Sequence, residues 1–69
     1  MIEIVIKVNG REVKKALIKK DGDFLGVDIF NLVTDEIEYV EREFYNEREV
    51  LEYSFQRMMD GECFTDSHA

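Results

Sequence analysis

Ile2, Ile4, Ile6 and Val8 alternate with Glu3, Val5, Lys7 and Asn9, and Asn9-Gly10 closes the run. A period of two is that of a strand with one buried face. Asn-Gly accepts the two positive φ angles of a two-residue hairpin turn. The start of the chain is thereby committed to a β-hairpin. Such a loop sets Val8 opposite Arg11, Ile6 opposite Val13, Ile2 opposite Leu17 and Lys7 opposite Glu12, the last a favourable cross-strand charge pair. One residue does not fit: Lys15 falls on the apolar face opposite Ile4. Either its stem snorkels at the edge or a bulge shifts the register. Lys, Ala and Leu within Val13–Lys20 also suit a short helix, but the strand is the better reading.

Asp21-Gly22-Asp23 marks a turn. Phe24, Leu25 and Val27 after it suit a short third strand or an apolar lead-in to a helix. Asp28 and Thr34 are acceptable helix caps, since either side-chain oxygen can take a free amide of the first turn. From Asp35 to Met59, Ile37, Val40, Phe44, Leu51, Phe55 and Met58 recur mostly at threes and fours. That spacing predicts one long helix, kinked near Asn46, where Asn46-x-x-Glu49 matches a capping box. Gly61 is placed to end it. The expected fold is α+β: an N-terminal β-hairpin, with a short third strand at most, packed on a long C-terminal α-helix. It forms one domain over residues 1–61, with a flexible tail over 62–69.

A helix of that length spans about 37 Å, whereas strands of the hairpin reach only about 23 Å. The apolar stripe then overruns the sheet. Leu51, Phe55, Met58 and Met59 are expected to form a homodimer interface.

A 69-residue chain buries only about 60% of its unfolded surface, so its stability needs help. Cys63 is the single cysteine, which excludes an internal disulfide and suits a reducing compartment. No apolar run is long enough for a membrane span, and no basic-then-apolar leader opens the chain. A cytoplasmic protein is expected. An apolar content of 45%, eight aromatics and the absence of proline all favour a folded domain.

Catalytic chemistry finds no foothold. His68, the only histidine, lies in the expected tail with Cys63, and that Cys–His pair is better read as a free thiol beside a frayed end. Cys63, Asp66 and His68 fall one ligand short of a structural zinc site, and only a dimer would complete the set. Asp21-Gly22-Asp23 lacks the remainder of a calcium loop. No glycine-rich phosphate loop occurs. No enzyme, cofactor or metal is expected.

Charge carries the functional expectation. Residues 1–20 hold six bases and two acids, a net of +4, and residues 21–69 hold three bases and fourteen acids, a net of −11. Lys14, Lys15, Lys19 and Lys20 have no interleaved aromatics for base stacking, so direct nucleic-acid binding is disfavoured. The acids crowd one stretch. Glu36, Glu38, Glu41, Glu43, Glu49 and Glu52 lie with Tyr39, Tyr45 and Tyr53, a set suited to a basic protein surface with tyrosine anchors. The expected function is a non-enzymatic acidic binding module. Its narrower form is a phage- or mobile-element-type inhibitor that mimics nucleic-acid charge and blocks a nucleic-acid-handling protein. The alternative is a structural or regulatory homodimer working through its apolar helix stripe.

Overall fold

A computed structural model describes residues 1–59. The strands are β1 (Ile2–Val8), β2 (Arg11–Asp21), β3 (Phe24–Asn31) and β4 (Glu36–Phe44), followed by one helix, α1 (Glu47–Met59). They form an antiparallel sheet in the order β1-β2-β3-β4, so each strand lies beside its sequence neighbour. The chain is α+β, but a four-stranded meander with a short helix replaces the expected hairpin and long helix.

The first hairpin forms where Asn9-Gly10 places it, with φ of 53° and 80° at the two turn residues. Val8 pairs with Arg11 and Lys7 with Glu12. Beyond them the register shifts: Ile6 pairs with Lys14, Ile4 with Ala16 and Ile2 with Ile18. Val13 is therefore an extra residue in β2, a bulge that moves Lys15 to the outer face and turns Lys14 inward. The inner face of the sheet carries Ala16, Ile18, Val27 and Ile29, all buried.

The stretch from Glu36 to Phe44 was expected to open a helix and is instead an edge strand. Its bulges explain the misleading spacing. Tyr39 pairs with Ile29 and Ile37 with Phe30, which leaves Glu38 as an extra residue. Glu41 pairs with Val27 and Phe44 with Leu25, so two residues of β4 oppose Gly26 alone. Ile37 and Val40 share the outer face although they stand three apart, and Tyr39 and Phe44 share the inner face although they stand five apart. Two bulges thus give a strand an apolar spacing that imitates a helix. Asp28, a candidate helix cap, sits in mid-strand in β3, and Thr34 lies in the β3–β4 turn.

The capping box at Asn46 marks where the helix begins, not a kink within it. The Glu49 amide donates to Asn46 Oδ1 at 2.9 Å, and Asn46 Nδ2 donates to Glu49 Oε1 at 2.9 Å. Val50, Ser54 and Met58, four apart, are the buried positions of α1. The Ser54 hydroxyl is satisfied by donating to the Val50 carbonyl at 2.6 Å. Thirteen residues span about 20 Å, so α1 does not overrun the sheet. The length argument for a dimer therefore falls, and Met58 belongs to the chain's own core. Gly61 and the tail with Cys63, Asp66 and His68 lie outside the described residues. Among the described residues no helix is long and apolar enough to cross a membrane.

Because Met58 is fully buried, Met58→Ala should lower the unfolding free energy by about 2–4 kcal/mol in urea titrations. Arg48→Ala removes only an exposed i,i+4 ion pair with Glu52 and should change it by less than about 0.5 kcal/mol.

Candidate protein-binding surface

The residues expected to share one acidic helical face are divided between an edge strand and the helix. Several of them are committed to the fold. Glu38 accepts a salt bridge from Lys14 at 2.9 Å and a hydrogen bond from Asn31 Nδ2 at 3.1 Å. Glu49 is engaged in the helix cap, and Glu52 pairs with Arg48 at 3.3 Å. Tyr39 and Tyr53 are half-buried, and both rings face the Arg57 guanidinium, at 5.1 and 5.3 Å. Tyr53 also packs on Phe44, with ring centroids 5.2 Å apart.

The outward-facing remainder is compact in sequence. Glu41 and Glu43 are exposed on β4, Glu47 opens the helix, and Glu36 lies at the far end of the same strand. Tyr45 is 76% exposed and stands edge-to-face with Phe24, ring centroids 5.4 Å apart. Glu43 is held at φ 69° by the second bulge. A left-handed conformation is costly for a side chain such as glutamate, so the bulge sets the direction of this acid at some expense in stability. Arg42, between the two glutamates, does not neutralise them. It folds over Gly26 onto Asp28, with Nη1 to Oδ1 at 2.9 Å, and also reaches the Glu41 carbonyl at 3.0 Å. A methyl group on Gly26 would come within 2.7 Å of the Arg42 side chain, which would have to shift to admit it.

Of the expected dimer residues, Leu51 is half-buried against the core, Phe55 and Met59 are 52% and 61% exposed, and Met58 is buried. The helix brings Leu51, Phe55 and Met59 onto one flank and leaves Met58 beneath it.

Lys14 and Asp28 are the charged residues that the sequence reading misplaced. Lys14, read as part of a surface lysine cluster, is only 1% exposed. The four lysines go to different places: Lys14 inward to Glu38, Lys15 over the Phe30 ring at 5.5 Å, Lys19 onto Asp28 at 2.8 Å, and Lys20 to the exposed end of the strand. The cluster is split between the two faces of the sheet and does not form a single phosphate grip. The Asp28 carboxyl is held below its ordinary range, foremost by the Lys19 hydrogen bond and further by Arg42, against the opposing effect of burial. Burial acts to raise Glu38, but the bonds from Lys14 and Asn31 outweigh it and its carboxyl too is lowered. Among the described residues no group of His, Cys, Asp and Glu side chains is placed to hold a metal ion.

The buried ammonium makes the pair asymmetric. Glu38→Ala leaves Lys14 buried without its carboxylate and should cost about 3 kcal/mol, whereas Lys14→Met fills the same space with an apolar chain and should cost far less. Both carboxyls are lowered in the folded chain, so their stabilisation is complete above the ordinary carboxyl pKa of about 4 and fades as the pH falls below it. Urea midpoints should drop through that window, and Asp28→Asn should be less stable at neutral pH with a shallower acid loss. Comparisons with protein-family models, curated proteins and solved structures found no match to this chain.

Proposed function

We propose that the protein is a non-enzymatic binding module that presents the acidic β4 edge and the start of α1 to a basic protein surface. The observation that carries this reading is the disposition of Glu41, Glu43 and Glu47. All three are exposed, as is the Tyr45 ring that follows β4 in the chain, while the one intervening base, Arg42, is turned away onto Asp28. Like charges held together on a surface repel, and a cationic partner relieves that repulsion while speeding encounter. Tyr45 supplies the amphipathic ring that such contacts favour.

The fitting partner surface is one rich in lysine and arginine, as on proteins that handle nucleic acid, where the acidic edge would compete with phosphate. The competing set is smaller than the sequence suggested, because Glu38 and Glu49 serve the fold.

The test is affinity capture from a nuclease-treated lysate of the cells that make the protein, eluted with a salt gradient. A basic protein retained at low salt and released as salt rises is the expected result. Glu41→Gln with Glu43→Gln should abolish retention of that same protein, and Glu12→Gln with Asp21→Asn, an equal charge change on β2, should leave it. Retention indifferent both to salt and to the β4 substitutions would overturn the proposal.

A further inference from the structure

The two edges of the sheet are unlike. β4 is interrupted by two bulges and lined with acids, both of which hinder the addition of another strand. β1 is a regular seven-residue strand without proline, and the one bulge beside it places its extra residue in β2. Its open edge carries neither of these obstacles to a further strand.

Hydrogen-bonding parity follows from the hairpin. Both turn residues have positive φ and Val8 pairs with Arg11, so that closing pair exchanges both its bonds. Alternate residues Val8, Ile6, Ile4 and Ile2 therefore turn their backbone groups toward β2, and Glu3, Val5 and Lys7 turn theirs to the open edge.

The inner side of this edge is also incompletely covered. Ile2, Ile4 and Ile6 are only partly buried, because α1 lies chiefly over β3, with β2 and β4 on either side. Tyr53 and Arg57 face the β4 side of the helix, onto Phe44 and Tyr39. Residues one position beyond the buried Val50, Ser54 and Met58, turned about 100° from them away from Tyr53 and Arg57, therefore face the β1 side. Those are Leu51, Phe55 and Met59. A partly exposed isoleucine row thus adjoins an apolar helix flank, along a strand whose backbone groups face outward.

We propose that β1 pairs antiparallel with β1 of a second copy of this chain, about a two-fold axis at Val5, to give a continuous eight-stranded sheet. Three properties select this occupant and this register. Outward-facing residues pair only with outward-facing residues when their numbers sum to an even value. Among such registers, the one centred on Val5 pairs all of Ile2–Val8, whereas a shift either way leaves residues unpaired. The same register sets Glu3 against Lys7 of the other copy, twice by symmetry, on one face. On the other face it sets Ile4 against Ile6 and Ile2 against Val8. The two isoleucine rows then lie about 4.8 Å apart, enclosed between the two helix flanks. A strand that is complementary to itself in backbone, charge and apolar pattern specifies a symmetric pair. This assembly is independent of the acidic-edge function, since it leaves β4 free.

Sedimentation over micromolar to millimolar protein, with circular dichroism to confirm folding, tests it. Wild type should show a reversible monomer–dimer equilibrium with no larger species. Glu3→Lys brings two Lys–Lys contacts into the interface and should weaken the dimer about tenfold or more. Adding Lys7→Glu to Glu3→Lys exchanges the charges and should restore it. A wild type that stays monomeric throughout overturns the proposal. So does a dimer unaffected by Glu3→Lys, a folded double variant that fails to recover, or growth beyond the dimer. Loss of acidic-edge binding without loss of the dimer would count only against the function proposed above.

Discussion

Much of the architecture depends on how one ammonium group is kept inside. The bulge at Val13 brings Lys14 onto the core face of β2, beside Ile6 and level with Asn31. A charge so buried is tolerable only with a carboxylate in reach and hydrogen bonds around it. Glu38 provides that carboxylate from β4, two strands away, and Asn31 in β3 stands between and binds it. The Glu38 bulge is what aims it inward. Asn31 also accepts from the Val33 and Thr34 amides, at 2.9 and 3.1 Å, so the same residue shapes the turn that leads into β4. Removing Glu38 would take its carboxylate from the buried Lys14 ammonium, the costlier side of the pair. The cluster thus ties β2, β3 and β4 into one register.

On the outer face the arrangement repeats with a different emphasis. Asp28 in β3 is flanked by Lys19 of β2 and Arg42 of β4, so a carboxylate, not an ammonium, stands at the centre. The two clusters point to opposite sides of the sheet and both span three strands. Their chemistry is structural. Five charged side chains are thereby engaged within the sheet itself.

What could be read from the sequence was what is local. The alternation of Ile2 to Val8 and the Asn9-Gly10 turn needed no tertiary information, and the hairpin formed there. The capping box at Asn46 was equally local and does start a helix. What failed depended on bulges. An extra residue at Glu38 and another within Arg42–Glu43 convert period two into spacings of three and five, and Ile37 to Phe44 then scans as a helix continuous with α1. The misplacement of Lys14 has the same origin, one residue earlier than the lysine whose misfit hinted at a bulge. For the candidate surface, Glu41, Glu43 and Tyr45 do stand exposed. Nothing in sequence spacing, however, marked Glu38, Tyr39 or Tyr53 as occupied, because their partners lie on other elements. Met58 and Phe55 looked alike as apolar helix positions; only the direction of the sheet separates them.

The charge imbalance along the chain becomes an imbalance across the sheet, because a meander lays its strands out in sequence order. The basic residues of β1 and β2 fall toward one edge and the acids of β4 toward the other. Each edge then meets a different constraint. At β4 the bulges and acids deter strand addition, so a partner binding there would be met by side chains. At β1 the backbone is regular and the isoleucine row is half-covered, so recognition can go through the main chain. A short helix seated over β3 cannot cover both sides of a four-stranded sheet, and the sequence places its spare apolar surface at the edge that can pair. Joining two copies there would set the two acidic edges at opposite ends of one sheet, a geometry that lets a single assembly engage two basic sites or one extended basic surface with gain from avidity.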